Sequence, residues 1–343
     1  MGQVLGLGTT DFPRLRTADP GMVGPLRANL GGSHITAEAK DPANWSEPMR
    51  KEWANDEGLA TGQAARDRQA GLFAKLNDEL DAFNPDFILA FSKDSRESLK
   101  NFSIPPFWVQ GHPQTDFKPG LTFFKDQDPE RVVTLKGHQE GALHLVSGLQ
   151  GAGFDTAYST EVMHPAGIAH TFNGMTTHLS WKNLDYKYPV VPFSIDPFGL
   201  RNRGADGCTP ITTDTVMPIH PDRAFELGRA VGRVLHDSPY RVAIGAGVGW
   251  SHANNTSWEK SWVAPDVAAD RKLHDEEWAT NKFTNWGHRF TFDEFEEHGQ
   301  WELLCWIALA GAMTEIGANL KWSDLESHYI FNSTWCNCVF EVK

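Results

Sequence analysis

The apolar and polar positions of the chain follow two alternating periods. Short apolar runs predict strands at Val4–Gly8, at Phe87–Phe91 after Pro85-Asp86, at Asp155–Tyr158, at Pro189–Ile195 and at Tyr240–Val248. Between them the spacing turns helical. Residues 60–82 place Leu72, Phe73, Leu76 and Leu80 on one face, continuing to Phe83. His138–Leu149 turns Ala142, Leu143, Val146 and Leu149 inward, and Pro221–His236 carries a stripe of Ala224, Leu227, Val231 and Leu235. Glu302–Met313 is apolar nearly all round, which predicts a buried helix. Residues 100–125 read as loop and short strands. The segments 17–48 and 254–300 read as loop-rich excursions, the first rich in Gly and Pro and the second charged and aromatic.

Strands alternating with helices predict an α/β fold. We expect a single large domain over residues 1–343, with a mostly parallel central sheet covered by helices on both faces. In such sheets function gathers beyond the C-terminal ends of the strands. Asp11, Asp94 and His252 each lie just past a predicted strand, so the fold would bring them to one crevice. His252 closes Gly249-Trp250-Ser251-His252, a glycine-containing turn after an apolar strand, a common way to present an acid/base in a cleft.

Composition narrows the function classes. The net charge of −13 over 343 residues argues against nucleic acid and anionic membrane as partners. No stretch is apolar for long enough to span a bilayer. The N-terminus lacks the basic flank and cleavage site of a signal peptide, so a cytoplasmic enzyme is expected. Four cysteines make no disulfide framework, and Cys336-Asn337-Cys338 lacks the second pair of a zinc site. Six of the thirteen tryptophans fall between residues 250 and 301. Trp250 and Trp258 flank the His252 turn and are candidate walls for a flat organic ligand, although tryptophans also simply fill cores.

Several familiar motifs fail. Gly6-Leu7-Gly8 lacks the third glycine of a dinucleotide fingerprint, and Gly245-Ala246-Gly247-Val248-Gly249 lacks the Gly-Lys-Ser/Thr ending of a phosphate loop. There is no His-Glu-x-x-His and no Gly-x-Ser-x-Gly.

What remains matches one family in order. Gly6-Leu7-Gly8-Thr9-Thr10-Asp11-Phe12-Pro13 resembles the N-terminal strand and Ser-His-x-Pro turn of class III extradiol ring-cleavage dioxygenases, the superfamily of protocatechuate 4,5-dioxygenase catalytic subunits. Pro85 to Asp94 is similar to that family's strand ending in Asn-Asp-His, followed at the family's spacing by Ile104-Pro105-Pro106-Phe107. Gly137-His138 and His144 resemble the start of the next helix, His170 an active-site histidine, and Pro189–Phe193 a Pro-Phe strand. Gly249-Trp250-Ser251-His252 resembles the catalytic Gly-Met-Ser-His, and the segment from Trp301-Glu302 to Met313 the helix that opens with a metal-binding glutamate. The resemblance spans most of residues 1–315.

It implies Fe(II) held by two histidines and a glutamate, with O₂ and a catechol bound beside it. Glu302 would be the carboxylate ligand, His252 the acid/base and His170 a second polar contact. Trp250, Trp258, His112 and Ser251 would line the substrate. The implied partners are a small aromatic compound and O₂, in a homo-oligomer or in a hetero-oligomer with a second subunit.

Both histidine ligands are replaced. Asp11 stands at one position, and at the other Asp94, or Ser95 if the loop shifts by one. Asp11, Asp94 and Glu302 form an oxygen-only set suited to Mg²⁺, Mn²⁺ or Ca²⁺. So much negative charge requires a cation, a bound proton or a basic neighbour such as Arg14 or Arg96. Three readings follow. The chain is a ring-cleavage oxygenase with an unusual ligand set, with His34 or His112 replacing a lost ligand. Alternatively it is a non-oxidative lyase, decarboxylase or hydrolase with a hard cation or no metal, or it is a non-catalytic partner subunit. Each carboxylate also has an ordinary use: Asp11 in a turn, Asp94 capping a helix that begins at Ser95, Glu302 in the first turn of a helix.

Overall fold

In the computed structural model of the chain, residues 2–17, 19–33, 35–100, 102–117, 130, 132–162, 167–181, 187–199, 216–253 and 263–342 are described. Eleven strands are present among them: β1 Gln3–Thr9, β2 Phe87–Ser92, β3 Phe107–Gln110, β4 Gln114–Phe117, β5 Val133–Lys136, β6 Ala157–Ser159, β7 Val190–Ile195, β8 Arg241–Gly247, β9 Ser251–His252, β10 Ala318–His328 and β11 Ser333–Val342. Nine of them form one sheet in the order β10-β11-β1-β8-β2-β7-β3-β6, with β9 paired to β11. The four central strands β1, β8, β2 and β7 are parallel. Both flanks turn antiparallel, at β11 beside β1 and at β3 beside β7. The sheet is therefore mixed around a parallel centre.

Strand periodicity builds a core on each face. Phe87, Leu89 and Phe91 of β2 and Val242, Ile244 and Ala246 of β8 face one core, which the helices Gln139–Gly151, Pro221–His236 and Leu303–Glu315 cover. Ile88, Ala90 and Ala243 face the other, beneath the helices Leu59–Phe83 and His170–His178. The apolar strands of the sequence are thus buried on both sides. Gly8 shows why β1 carries Gly-Leu-Gly: a Cβ there would come 2.3 Å from the Trp306 ring. The pattern makes room for the C-terminal helix rather than for a dinucleotide.

The two expected excursions are largely structured. Within 17–48 lie the helices Gly24–Leu30 and Ala37–Lys40, with Met22, Leu26 and Trp45 buried. Residues 263–300 contain the helices Val267–Leu273 and Phe292–His298 and a π-helical turn, His274–Trp278. Trp278 and Trp286 from this stretch are fully buried in the first core. The β10–β11 hairpin beyond the apolar helix was not foreseen. Among the described residues no helix is long and apolar enough to cross a membrane.

Candidate functional site

The C-terminal ends of β1, β2 and β8 meet at one edge of the sheet, and each delivers a charged or polar group there. After β1, the turn carrying Asp11 is fixed twice: the Phe12 amide donates to Thr10 Oγ1 at 3.1 Å, and His178 Nδ1 lies 2.8 Å from the Thr10 carbonyl. Helix His170–His178 packs directly against this turn at Gly174, where a Cβ would come 2.1 Å from the Asp11 carbonyl. After β2, Lys93 is the first residue beyond the strand, and its carbonyl accepts from Thr171 Oγ1. After β8, the chain turns through Gly249 into β9, where Ser251 and His252 pair with Thr334 and Ser333 of β11. The His252 amide donates to the Gly299 carbonyl at 3.1 Å. Glu302 sits at the N-terminus of helix Leu303–Glu315, where the helix dipole favours a carboxylate.

These groups converge. Ligating atoms of Asp11, His252 and Glu302 lie within 4.8 Å of one another. His252 Nε2 is 3.0 Å from Glu302 Oε2. The Lys93 ammonium donates to the other oxygen, Glu302 Oε1, and stands 3.5 Å from Asp11 Oδ2. Asp11, Lys93 and Glu302 are buried. Burial alone would raise the Glu302 pKa, but the charges and hydrogen bonds of His252 and Lys93 outweigh it and hold the carboxyl well below its ordinary range. Burial likewise opposes the Lys93 charge, and the Asp11 and Glu302 carboxylates more than reverse that, holding the ammonium well above the ordinary lysine range. Burial also pushes the neighbouring Cys305 thiol up, with Glu302 acting in the same direction, so it is no thiolate nucleophile.

A second carboxylate–imidazole pair adjoins the first. His170, at the start of its helix, donates its amide to Glu97 Oε2 at 2.8 Å, and its Nδ1 bonds to Glu97 Oε1. Burial would raise the Glu97 pKa, but His170 and then Lys93 hold it below its ordinary value. Lys93 therefore lies electrostatically between two Glu–His pairs.

The structure corrects several expectations. Asp94 is not in the cluster: its carboxylate accepts the Ser98 amide at 3.0 Å and the Leu99 amide at 3.3 Å, the capping role a short polar side chain takes in a turn. Ser95 belongs to the same turn, where it and Arg96 adopt left-handed φ of 49° and 62°. The basic neighbour is neither Arg14, which donates to Gly21 O, nor Arg96, which donates to Gly199 O and lies 3.8 Å from Asp196. His112 bonds Ser159 Oγ at 2.9 Å and Thr115 Oγ1 at 3.3 Å instead of joining the carboxylates, and burial lowers its pKa. Trp250 is fully buried among Trp278, Trp286 and Trp306, so it is core rather than pocket wall. Ser251 is also fully buried and donates to Asp270, whose other oxygen accepts from Gln300 Nε2 at 2.8 Å. Burial pushes Asp270 up to about 6 against the pull of Ser251, Thr334 and Gln300. That network ties the strand of His252 to the entry of the Glu302 helix. His34 and Trp258 lie outside the described residues.

Lys93 and Glu97 are the functional candidates that sequence reasoning missed. The signal for Lys93 was present: it directly follows a fully apolar strand, at the end where carboxylates were expected to need a cation. Past Lys93 in the chain, a shallow depression, partly open to solvent, is lined by Asp94, Arg96, Trp108, Ser194 and Asp196. Burial pushes Asp196 up to about 6, against the pull of Arg96.

Asp11, His252 and Glu302 have the donor types and spacing a divalent ion accepts. The Lys93 ammonium, however, already bonds one of those oxygens and neighbours another. With Lys93 in this position the site does not fit Fe(II) or another divalent ion.

The chain matches no protein-family model and no curated protein sequence. Among solved structures it is similar to the uncharacterized protein JW3007 from Escherichia coli K12, at 15% identity over 78% of this chain and 91% of that one, with a TM-score of 0.43. So distant a likeness says nothing about the chemistry.

Proposed function

We propose that the chain is an enzyme of non-oxidative acid–base chemistry, a lyase, decarboxylase or hydrolase acting on a small phenolic or dicarbonyl compound. The observation that carries this reading is the placement of Lys93 beside two carboxylate–imidazole pairs, Glu302–His252 and Glu97–His170. A carboxylate bonded to one ring nitrogen fixes the orientation of an imidazole and leaves the other nitrogen to exchange protons. Glu302 engages His252 at Nε2 and Glu97 engages His170 at Nδ1.

In this reading one imidazole takes a proton from the substrate hydroxyl or from water. The fixed charge of Lys93 stabilises the oxyanion that forms, as a pre-oriented donor in a water-poor site does. When the oxyanion collapses and a C–C bond breaks, the bond's electron pair leaves on the departing carbon, and the proton taken in the first step is returned to that carbon by an imidazole.

A ring-cleavage oxygenase is the second reading, favoured by the spacing of Asp11, His252 and Glu302. Assays of hydroxybenzoates, catechols and 1,3-diketones with chelator and without oxygen separate the two. Turnover under those conditions that is lost in His252→Ala supports the proposal. Turnover that requires added iron and consumes O₂ contradicts it.

A further inference from the structure

We infer that Lys93 stands where a metal ion would sit and excludes it, and that removing its ammonium turns Asp11, His252 and Glu302 into a divalent-cation site. The three side chains offer two carboxylate oxygens and an imidazole nitrogen within 4.8 Å of one another, a spacing one ion could bridge. An ion bound to all three would lie about 2.0–2.3 Å from each. Lys93 reaches the same place from the end of β2. It donates to Glu302 Oε1, lies 3.5 Å from Asp11 Oδ2, and has only 9% of its side chain exposed. Its backbone is held by Thr171, so the ammonium is anchored and not a passing surface cation.

The charge balance agrees. Two carboxylates and one ammonium leave a net charge of about −1. A divalent ion added to this arrangement meets a positive charge at contact distance, in surroundings where water screens little. Without the ammonium, two buried carboxylates lose their main counter-charge and need a cation or a bound proton. The inference goes beyond the proposed chemistry: a chain that turned over no phenol or diketone would sink that reading and leave this one untouched.

The test uses the full chain, stripped with chelator, titrated with Mn²⁺ or Zn²⁺ and followed by equilibrium binding and thermal melting. The wild type is expected to bind no stoichiometric ion at the site, and its Tm should not move. Lys93→Ala and Lys93→Gln should each bind one equivalent, about 100-fold or more tighter than wild type, with a Tm that rises as metal is added. Adding Glu302→Gln to Lys93→Ala should abolish the gain. A Lys93→Ala chain that folds only when metal is supplied supports the inference equally. Folded Lys93 variants with no gain in affinity overturn it. The wild-type arm needs no variant to fold: one equivalent of Mn²⁺ or Zn²⁺ held by Asp11, His252 and Glu302 with Lys93 intact overturns it alone.

Discussion

His252 Nε2 lies 3.0 Å from Glu302 Oε2, although fifty residues separate the two in the chain. The β9 strand brings one and the start of the C-terminal helix brings the other. Glu302 also anchors Lys93, so its carboxylate serves two cations. Glu302→Gln keeps the volume and removes the charge. It should lower kcat by about 10²–10⁴-fold, the usual weight of a positioned acid–base group. It should also destabilise the fold by about 3–5 kcal/mol, because Lys93 is left buried without its main partner. Steady-state kinetics and urea unfolding check the two effects separately.

Glu97→Gln probes the second pair. It leaves the Lys93–Glu302 contact intact, unfastens His170 and removes one carboxylate charge near Lys93. The expected result is a fall in kcat with a shifted pH–rate profile and little change in KM. A rise in KM with kcat unchanged would make His170 a binding group instead.

The pH dependence of stability should carry the mark of His178. This ring is fully buried, stacks on Phe73 at 4.3 Å and bonds the Thr10 carbonyl beside Asp11. Burial lowers its pKa from 6.5 to about 3. The unfolded chain therefore binds a proton that the folded chain refuses between those values. The contribution to stability is complete above about pH 6.5 and is lost progressively as pH falls toward about 3. His178→Gln cannot take that proton. Its stability at neutral pH should fall by about 1–2 kcal/mol, while its acid slope flattens. Urea midpoints measured across this range for both chains decide; equal slopes would mean that other groups carry the acid sensitivity.

Trp250 tests the distinction between core and pocket. Three tryptophan rings, Trp278, Trp286 and Trp306, lie 5.6–6.4 Å from it. Trp250→Ala should cost about 3–5 kcal/mol through the cavity it leaves. Trp250→Phe should restore much of that stability without altering KM. A change in KM with stability preserved would return Trp250 to the substrate wall.

Much of the architecture was legible in the sequence because buried strands and amphipathic helices leave periodic marks. The Pro221–His236 helix, with proline at its first position, matches its predicted bounds, and the strand before His252 lies within its predicted run. The β10–β11 hairpin left no such mark. Thr334 and Asn337 are buried polar residues, satisfied by Ser327, Gln69 and Thr9, so the alternation that signals a half-buried strand is broken. Of the candidate site, His252 and Asp11 were legible from their places past strand ends, and Glu302 only through the family resemblance. Asp94 misled because it shares Lys93's position at a strand terminus, and one residue along a turn decides which side chain points to the crevice. Glu97 had no signal, since its role depends on a helix that begins 73 residues later.

Anomalous diffraction from crystals of the wild-type chain soaked in Mn²⁺ tests the lysine-filled site most directly. The prediction is no anomalous peak among Asp11, His252 and Glu302, with density for the Lys93 ammonium against Glu302. A peak about 2.0–2.3 Å from the three side chains, with Lys93 turned away, would contradict it.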